Sequence, residues 1–226
     1  MLEKSGNIIK SVIIFVLYIV FEYLVILLLK SLGLDITNLD NTWQTIVRIV
    51  INLMLVAIFF FIYRKSLIGD AKDFKENWKS YLKLGLKYWL IGLVIMILSN
   101  SIIGSFLPTP TNEVMVQDSI ISNPVLSFVS SVLVAPFIEE LIFRKSIYDC
   151  FKDSYQYIYI VVSGLLFGYV HLIAGGNAEL IYLIPYGAMG IIFAYLYAKT
   201  KNIFVPIFFH MLHNFISVMI YFLTLL

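Results

Sequence analysis

Seven stretches of this chain are apolar over lengths able to cross a bilayer, at 8–29, 43–63, 84–103, 124–143 and beyond, 157–173, 180–198 and 203–225. Hydrocarbon offers no water to backbone N–H and C=O groups, so a chain lying in it must satisfy them internally, as helices or as a closed barrel. Runs near 20 residues fit helices, whereas a membrane strand needs only about 10. The expected fold is therefore all-α, a polytopic membrane helix bundle of about seven transmembrane helices. The first run is too long for the apolar region of a signal peptide and no small-residue cleavage site follows it, so it is read as a retained span in a chain starting near Met1.

A hydrophobic content of 61% over 226 residues supports that reading, being well above the soluble globular range. The single cysteine, Cys150, leaves no internal disulfide and no cysteine metal site. A net charge of +2, with lysines gathered in the connections, does not suit a nucleic-acid partner. The basic residues report topology instead. Lys and Arg number two at the amino terminus, Lys4 and, at the edge of the first span, Lys10, then one, six, none, three, none and two in successive connections. By the positive-inside rule the amino terminus and the connections at 64–83, 144–152 and 199–201 are cytoplasmic, and the carboxyl terminus lies outside. The expected location is an integral membrane one, in a microbial plasma membrane. Segment 72–83 sets Phe74, Trp78 and Tyr81 among lysines, as an amphipathic helix on an anionic leaflet would. The 104–123 connection has two prolines and no base, and reads as a linker or lid. No internal repeat is visible, which weighs against a secondary transporter.

Within the apolar spans a few polar side chains stand out, and such groups are expensive in hydrocarbon unless they have work. They fall in three compact patterns: EELIFR from Glu139 to Arg144, FGYVH from Phe167 to His171, and HMLHN from His210 to Asn214. Glu140 and Arg144 are four apart with the acid first, the favourable order for a helical ion pair, so Glu140 reads as structural. Glu139 points about 100° away and its own i+4 residue is Phe143, so no local cation neutralises it. A desolvated carboxylate without a fixed cation can take a proton from water, the condition for a general base. Pro136 cannot donate to the carbonyl of Val132 and is expected to kink the helix beside the acidic pair. Gly164 and Gly168 form a small-xxx-small face that lets another helix approach and brings His171 to its partners. His210 and Asn214 lie one turn apart and can aim an N–H and an amide at one point, as an oxyanion hole requires. His213 is read as a packing or hydrogen-bonding residue. Glu22, Arg48 and Lys87 are read as pairing or snorkelling charges. Cys150 and the Ser130–Ser131 pair lack a nucleophile's setting. Together these residues point to a water-using hydrolase in the membrane.

Depth gives a geometric condition. If the fourth helix continues to Cys150, Glu139, His171 and His210 lie about 16, 21 and 10 Å from their cytoplasmic helix ends, within side-chain reach plus tilt. If it stops at Phe143, Glu139 is only about 6 Å deep and the groups do not meet. The extended helix is therefore expected, with the site nearer the cytoplasmic face and Arg144 inside the bundle.

The ordered trio of motifs resembles that of the CPBP family of intramembrane proteases, which includes the type II CAAX prenyl endopeptidases and the bacterial Abi proteins. The resemblance covers roughly 124–220, so 1–226 is expected to be one transmembrane domain with accessory spans at 1–123 and a catalytic core at 124–226, its last four helices. The family's usual glycine after the motif-one arginine is Lys145 here, and its usual Thr-Gly-Ser turn is Thr200, Lys201, Asn202. What the resemblance implies is an intramembrane endopeptidase in which Glu139 and His171 activate water and His210 with Asn214 stabilises the oxyanion, with Glu140, Arg144 and Phe167 in support. Its partners would be the lipid bilayer and a membrane-associated or lipidated peptide or protein, in CAAX-type processing, peptide maturation or bacteriocin self-immunity. Such families have also been described as metalloproteases, so zinc on Glu139, His171 and His210 is the alternative to a site without a cofactor. The lack of an HExxH arrangement favours the metal-free reading. Competing classes are an immunity protein that sequesters a peptide without cutting it, and an ion pathway lined by Glu139 and His171.

Overall fold

The computed structural model describes residues 2–151, 155–174 and 180–225. Met1, and Lys152 of the 144–152 connection, lie outside them. The described residues form seven longer helices: α1 Leu2–Ser31, α2 Asn41–Ile103, α3 Thr111–Ser122, α4 Pro124–Ser146, α5 Gln156–Ala174, α6 Leu183–Thr200 and α7 Phe204–Thr224. Six of them are long and apolar enough to cross a membrane, and no strand occurs among the described residues. The chain is a polytopic helical membrane bundle, as its hydropathy predicts.

The spans expected separately at 43–63 and 84–103 are one continuous helix, α2. Drawn straight, its 63 residues would reach about 95 Å, three times the hydrocarbon thickness. Its contacts show that it doubles back. Near its start Thr42 donates to Asn123, ahead of α4, at 3.0 Å. In its middle, Asn202, in the α6–α7 turn, donates to the Asp70 carbonyl and the Asp73 carboxylate at 2.6 and 2.7 Å. At its end Ile103 packs with Leu172 and Tyr182, beside the start of α6. The lysine-rich middle was expected to be a connection or a surface helix. It stays helical because the chain has no proline between its start and Pro108. Phe74 and Tyr81 pack onto the bundle, while Trp78 is exposed.

α5 and α6 lie close because glycines face each other. A Cβ on Gly190 would come within 2.6 Å of the Gly164 carbonyl oxygen, and one on Gly168 within 2.8 Å of the Gly187 nitrogen. The small-xxx-small expectation at Gly164 and Gly168 is met, with backbone against backbone.

Helix α4 carries the acidic pair and departs from α geometry twice. Pi-helical turns at Val129–Val134 and Leu141–Ser146 flank the α-helical Ala135–Glu140. The expected disturbance at Pro136 is thus a widened turn on its N-terminal side. Helical backbone continues past Phe143 to Tyr148 before turning at Asp149, so the depth condition is satisfied. In the first half of α1, the Ser11 hydroxyl donates to the Ser146 carbonyl at 2.6 Å. Glu22 and Arg48 pair with each other across α1 and α2.

The turn that departs from the family pattern shows what glycine would do there. Lys201 has φ 55° and ψ 17°, the left-handed region that a Cβ disfavours, and its ammonium lies 3.8 Å from the Tyr148 ring centroid.

Candidate active site

Arg144 is fully buried, and its guanidinium faces Glu140 and Ser163. Its Nε lies 2.8 Å from Glu140 Oε2, and its Nη2 donates to Glu140 Oε1 at 3.1 Å. Its Nη1 donates to Ser163 at 3.2 Å, and the Ser163 hydroxyl donates to the Phe143 carbonyl at 2.6 Å. The Phe167 ring centroid lies 4.7 Å from the guanidinium carbon. Glu140 therefore has the structural place expected of it, and it does more. Its Oε1 also accepts from His210 Nδ1 at 2.9 Å. Ser163 is a support the sequence reading missed, although Ser163, Phe167 and His171 repeat every four residues along one helical face.

Glu139 turns the other way. Its Oε2 lies 3.7 Å from His210 Nε2 and 3.9 Å from His171 Nε2. Three groups from three helices thus converge on one spot. The opposite ring nitrogen of each histidine is already committed. His171 Nδ1 donates to the Phe167 carbonyl at 2.9 Å, and since a carbonyl only accepts, neutral His171 presents a lone pair at Nε2. His210 Nδ1 faces a carboxylate held by Arg144, so that nitrogen also carries the proton. The rings are held flat: Phe193 stacks on His210 at 4.9 Å and 22°, and Phe167 lies against His171 at 4.4 Å and His210 at 5.5 Å.

Separations of 3.7 and 3.9 Å are too long for direct hydrogen bonds and suit one water bridging carboxylate and imidazole. Among the described residues, no three His, Cys, Asp or Glu side chains are drawn together tightly enough to hold a metal ion.

Asn214 stands on the same cavity wall, but its Nδ2 donates to the Ser131 carbonyl at 2.8 Å. Ser131 lies in the widened turn before Pro136, where the missing proline N–H leaves a carbonyl in need of a donor. One amide hydrogen is thus used to seal α4, which leaves the second for the cavity. His213 lines the cavity too.

That cavity holds about 550 Å³ and is walled by residues of α2 to α7, with Asn100, Thr109, Asn112, Glu113, Tyr186 and Ser217 among its polar residues. It runs from Glu139 toward the 104–123 connection, away from the lysine-rich ends. Arg144 and Phe143, both fully buried, are not part of its lining, whereas Phe193 is. A second cavity of about 550 Å³ reaches Glu139 from the α1 side, between Tyr18, Ile26, Leu55 and Ile173. Ala135 and Glu139 border both.

The constellation lies within a segment that also matches known proteins. Residues 121–216 match the family described as "Type II CAAX prenyl endopeptidase Rce1-like". The match falls where the three motifs lie, in line with the resemblance they carry. Over 104 residues the chain is 40% identical to a Bacillus subtilis (strain 168) protein named "Putative membrane peptidase YdiL", covering 46% of this chain and 40% of that one. Over 113 residues it is 29% identical to "UPF0177 protein YvdC" of Lactococcus lactis subsp. lactis (strain IL1403), covering 50% and 42%. The chain thus spans about two fifths of the length of these curated relatives, and no solved structure matches it. The matched segment contains all of Glu139, Glu140, Arg144, Phe167, His171, His210 and Asn214, whereas α3 begins outside it.

Proposed function

We propose that the chain is an intramembrane endopeptidase that hydrolyses a peptide bond of a membrane-associated or lipidated peptide, with water activated by Glu139 and His171. The observation that carries this reading is the meeting of Glu139 Oε2 with two imidazole Nε2 atoms at 3.7 and 3.9 Å on a cavity wall. A water there donates one proton to Glu139 while His171 Nε2 accepts from the other. As Glu139 takes its proton, the water oxygen bonds to the carbonyl carbon and the C=O π pair moves onto oxygen. The oxyanion is met by the second amide hydrogen of Asn214 and by His210 Nε2–H. With Nδ1 already donating to Glu140, donation from His210 Nε2 requires the doubly protonated ring. Collapse breaks the C–N bond, and the proton held by Glu139 passes to the departing nitrogen.

The positive-inside pattern, with the amino terminus cytoplasmic and the carboxyl terminus outside a microbial plasma membrane, makes this cavity open outward. That direction favours peptide maturation or self-immunity at the outer face over cytoplasmic CAAX processing.

The test is cleavage of a membrane-peptide library by the purified protein in nanodiscs. Glu139→Gln and His171→Ala are each expected to lower kcat by about 10²- to 10⁴-fold, the share of general-base catalysis, with no response to chelator. Chelator-sensitive activity restored by zinc would make Glu139, His171 and His210 ligands instead. Tight peptide binding without cleavage, surviving Glu139→Gln, would establish sequestration.

A further inference from the structure

Helix α3 lies outside the three motifs, yet Asn112 and Glu113 in its first turn, and Val116 and Ile120 after it, line the catalytic cavity. One side chain connects this helix to the catalytic histidine. Asn112 Nδ2 donates to the Tyr186 hydroxyl at 3.4 Å, and the Tyr186 ring stacks on the His171 imidazole at 5.3 Å and 27°. Tyr186 itself stands in the first turns of α6, one residue before Gly187 and the tight seam with α5.

Apart from Tyr186, the contacts that hold the His171 ring come from its own helix, the Phe167 ring at 4.4 Å included. The Nδ1 bond to Phe167 fixes one ring nitrogen, and Phe167 belongs to the same helix. A rotation about that bond would swing Nε2 away from Glu139 while keeping Nδ1 paired. Tyr186, coming from another helix, is the contact that resists the swing. We propose that Tyr186 is a positioning residue for His171, and that Asn112 on α3 registers it, so that whatever settles against α3 is felt at the imidazole. This rests on the catalytic reading of His171 given above. Side chains on facing helices hold a ring in one plane only while both helices keep their places, so displacing α3 loosens the stack. A reacting group misplaced by about 1 Å can cost 10²-fold in rate, enough for a stacking ring to matter.

The test uses the full chain in nanodiscs with Tyr186→Leu, Tyr186→Phe and Asn112→Ala. Two readouts are taken. One is the extent of carbethoxylation of His171 by diethyl pyrocarbonate, mapped by mass spectrometry, which needs no substrate. The other is the pH profile of kcat/KM on a peptide the parent protein cleaves. Tyr186→Leu is expected to raise His171 labelling, to lower kcat by about 10- to 100-fold with KM within about 2-fold, and to shift the limb of the profile that reports the imidazole. Tyr186→Phe keeps the ring and should restore most of the rate. Tyr186→Phe and Asn112→Ala should cause the same small rise in labelling, without adding in the double variant, because both break one bond. Parent-like labelling and pH profile in all three variants would overturn the proposal, as would equal effects of Tyr186→Leu and Tyr186→Phe. If the parent protein cleaves nothing, the catalytic reading fails, while the labelling order still decides whether Tyr186 holds His171. Should Tyr186→Leu not fold, the other two variants carry the same comparison.

Discussion

Neighbouring glutamates with opposite fates are the centre of this molecule. Glu140 is wholly buried and shared between Arg144 and His210, whereas Glu139 looks into two cavities. Their different surroundings were legible because residues one apart on a helix face about 100° apart, and only Glu140 has a base at i+4. Removing Glu140 leaves a guanidinium without its counter-charge. Glu140→Ala is therefore expected to cost about 3–5 kcal/mol in denaturation of the purified protein, while a Glu140→Leu/Arg144→Met double variant should be clearly less damaged. Tyr186 was not legible, since a tyrosine near the end of a membrane helix is ordinary and only tertiary packing sets it on His171. Asn214 was read as aimed at the cavity, and its bond to Ser131 follows from a widened turn that only the folded backbone reveals. Lys201 makes a sharper case. A left-handed backbone penalises any Cβ, and its ammonium contact with Tyr148 offsets part of that cost. Lys201→Gly should be more stable than Lys201→Ala by about 1 kcal/mol in thermal unfolding, because both lose the cation but only glycine relieves the backbone.

At the scale of helices, two features place the site. The glycines of α5 and α6 let the backbones touch, which brings the helix bearing His171 against the helix bearing Tyr186 and Phe193. Gly190→Ala would drive a Cβ into the Gly164 carbonyl, a backbone atom that no rotamer change can move. It should destabilise the protein by about 1–3 kcal/mol, read by thermal unfolding in detergent. The second feature is α2. Hydropathy divides it in two, because lysines interrupt the apolar pattern at 64–83, but hydropathy reports burial in lipid and not the continuity of hydrogen bonds. The sequence carried the better signal in its lack of proline before Pro108. Asp70 and Asp73 then tie the middle of α2 to the α6–α7 turn through Asn202, so a stretch that looks like a loop is part of the scaffold.

For the whole molecule, the fold class and the family resemblance were readable from span lengths and three motifs, while the direction of the cavity was not. Depth counted along helices gives a level but not an opening, and the opening is decided by α3 and the end of α2, outside the motifs. The orientation can be measured directly. With Cys150 replaced by alanine, a cysteine introduced at Glu113 is expected to react with a membrane-impermeant maleimide on intact cells, and one at Asn77 only after lysis. The reverse pattern would turn the site toward the cytoplasm. The two cavities that share Ala135 and Glu139 carry a further consequence. The partition between them is a single side chain thick, and its outer flank is apolar and borders α1, whose surface is largely lipid-facing. An alkyl tail of the surrounding amphiphile can therefore come to rest beside Glu139, and the choice of solubilising agent becomes a variable of any assay of this site rather than a neutral background.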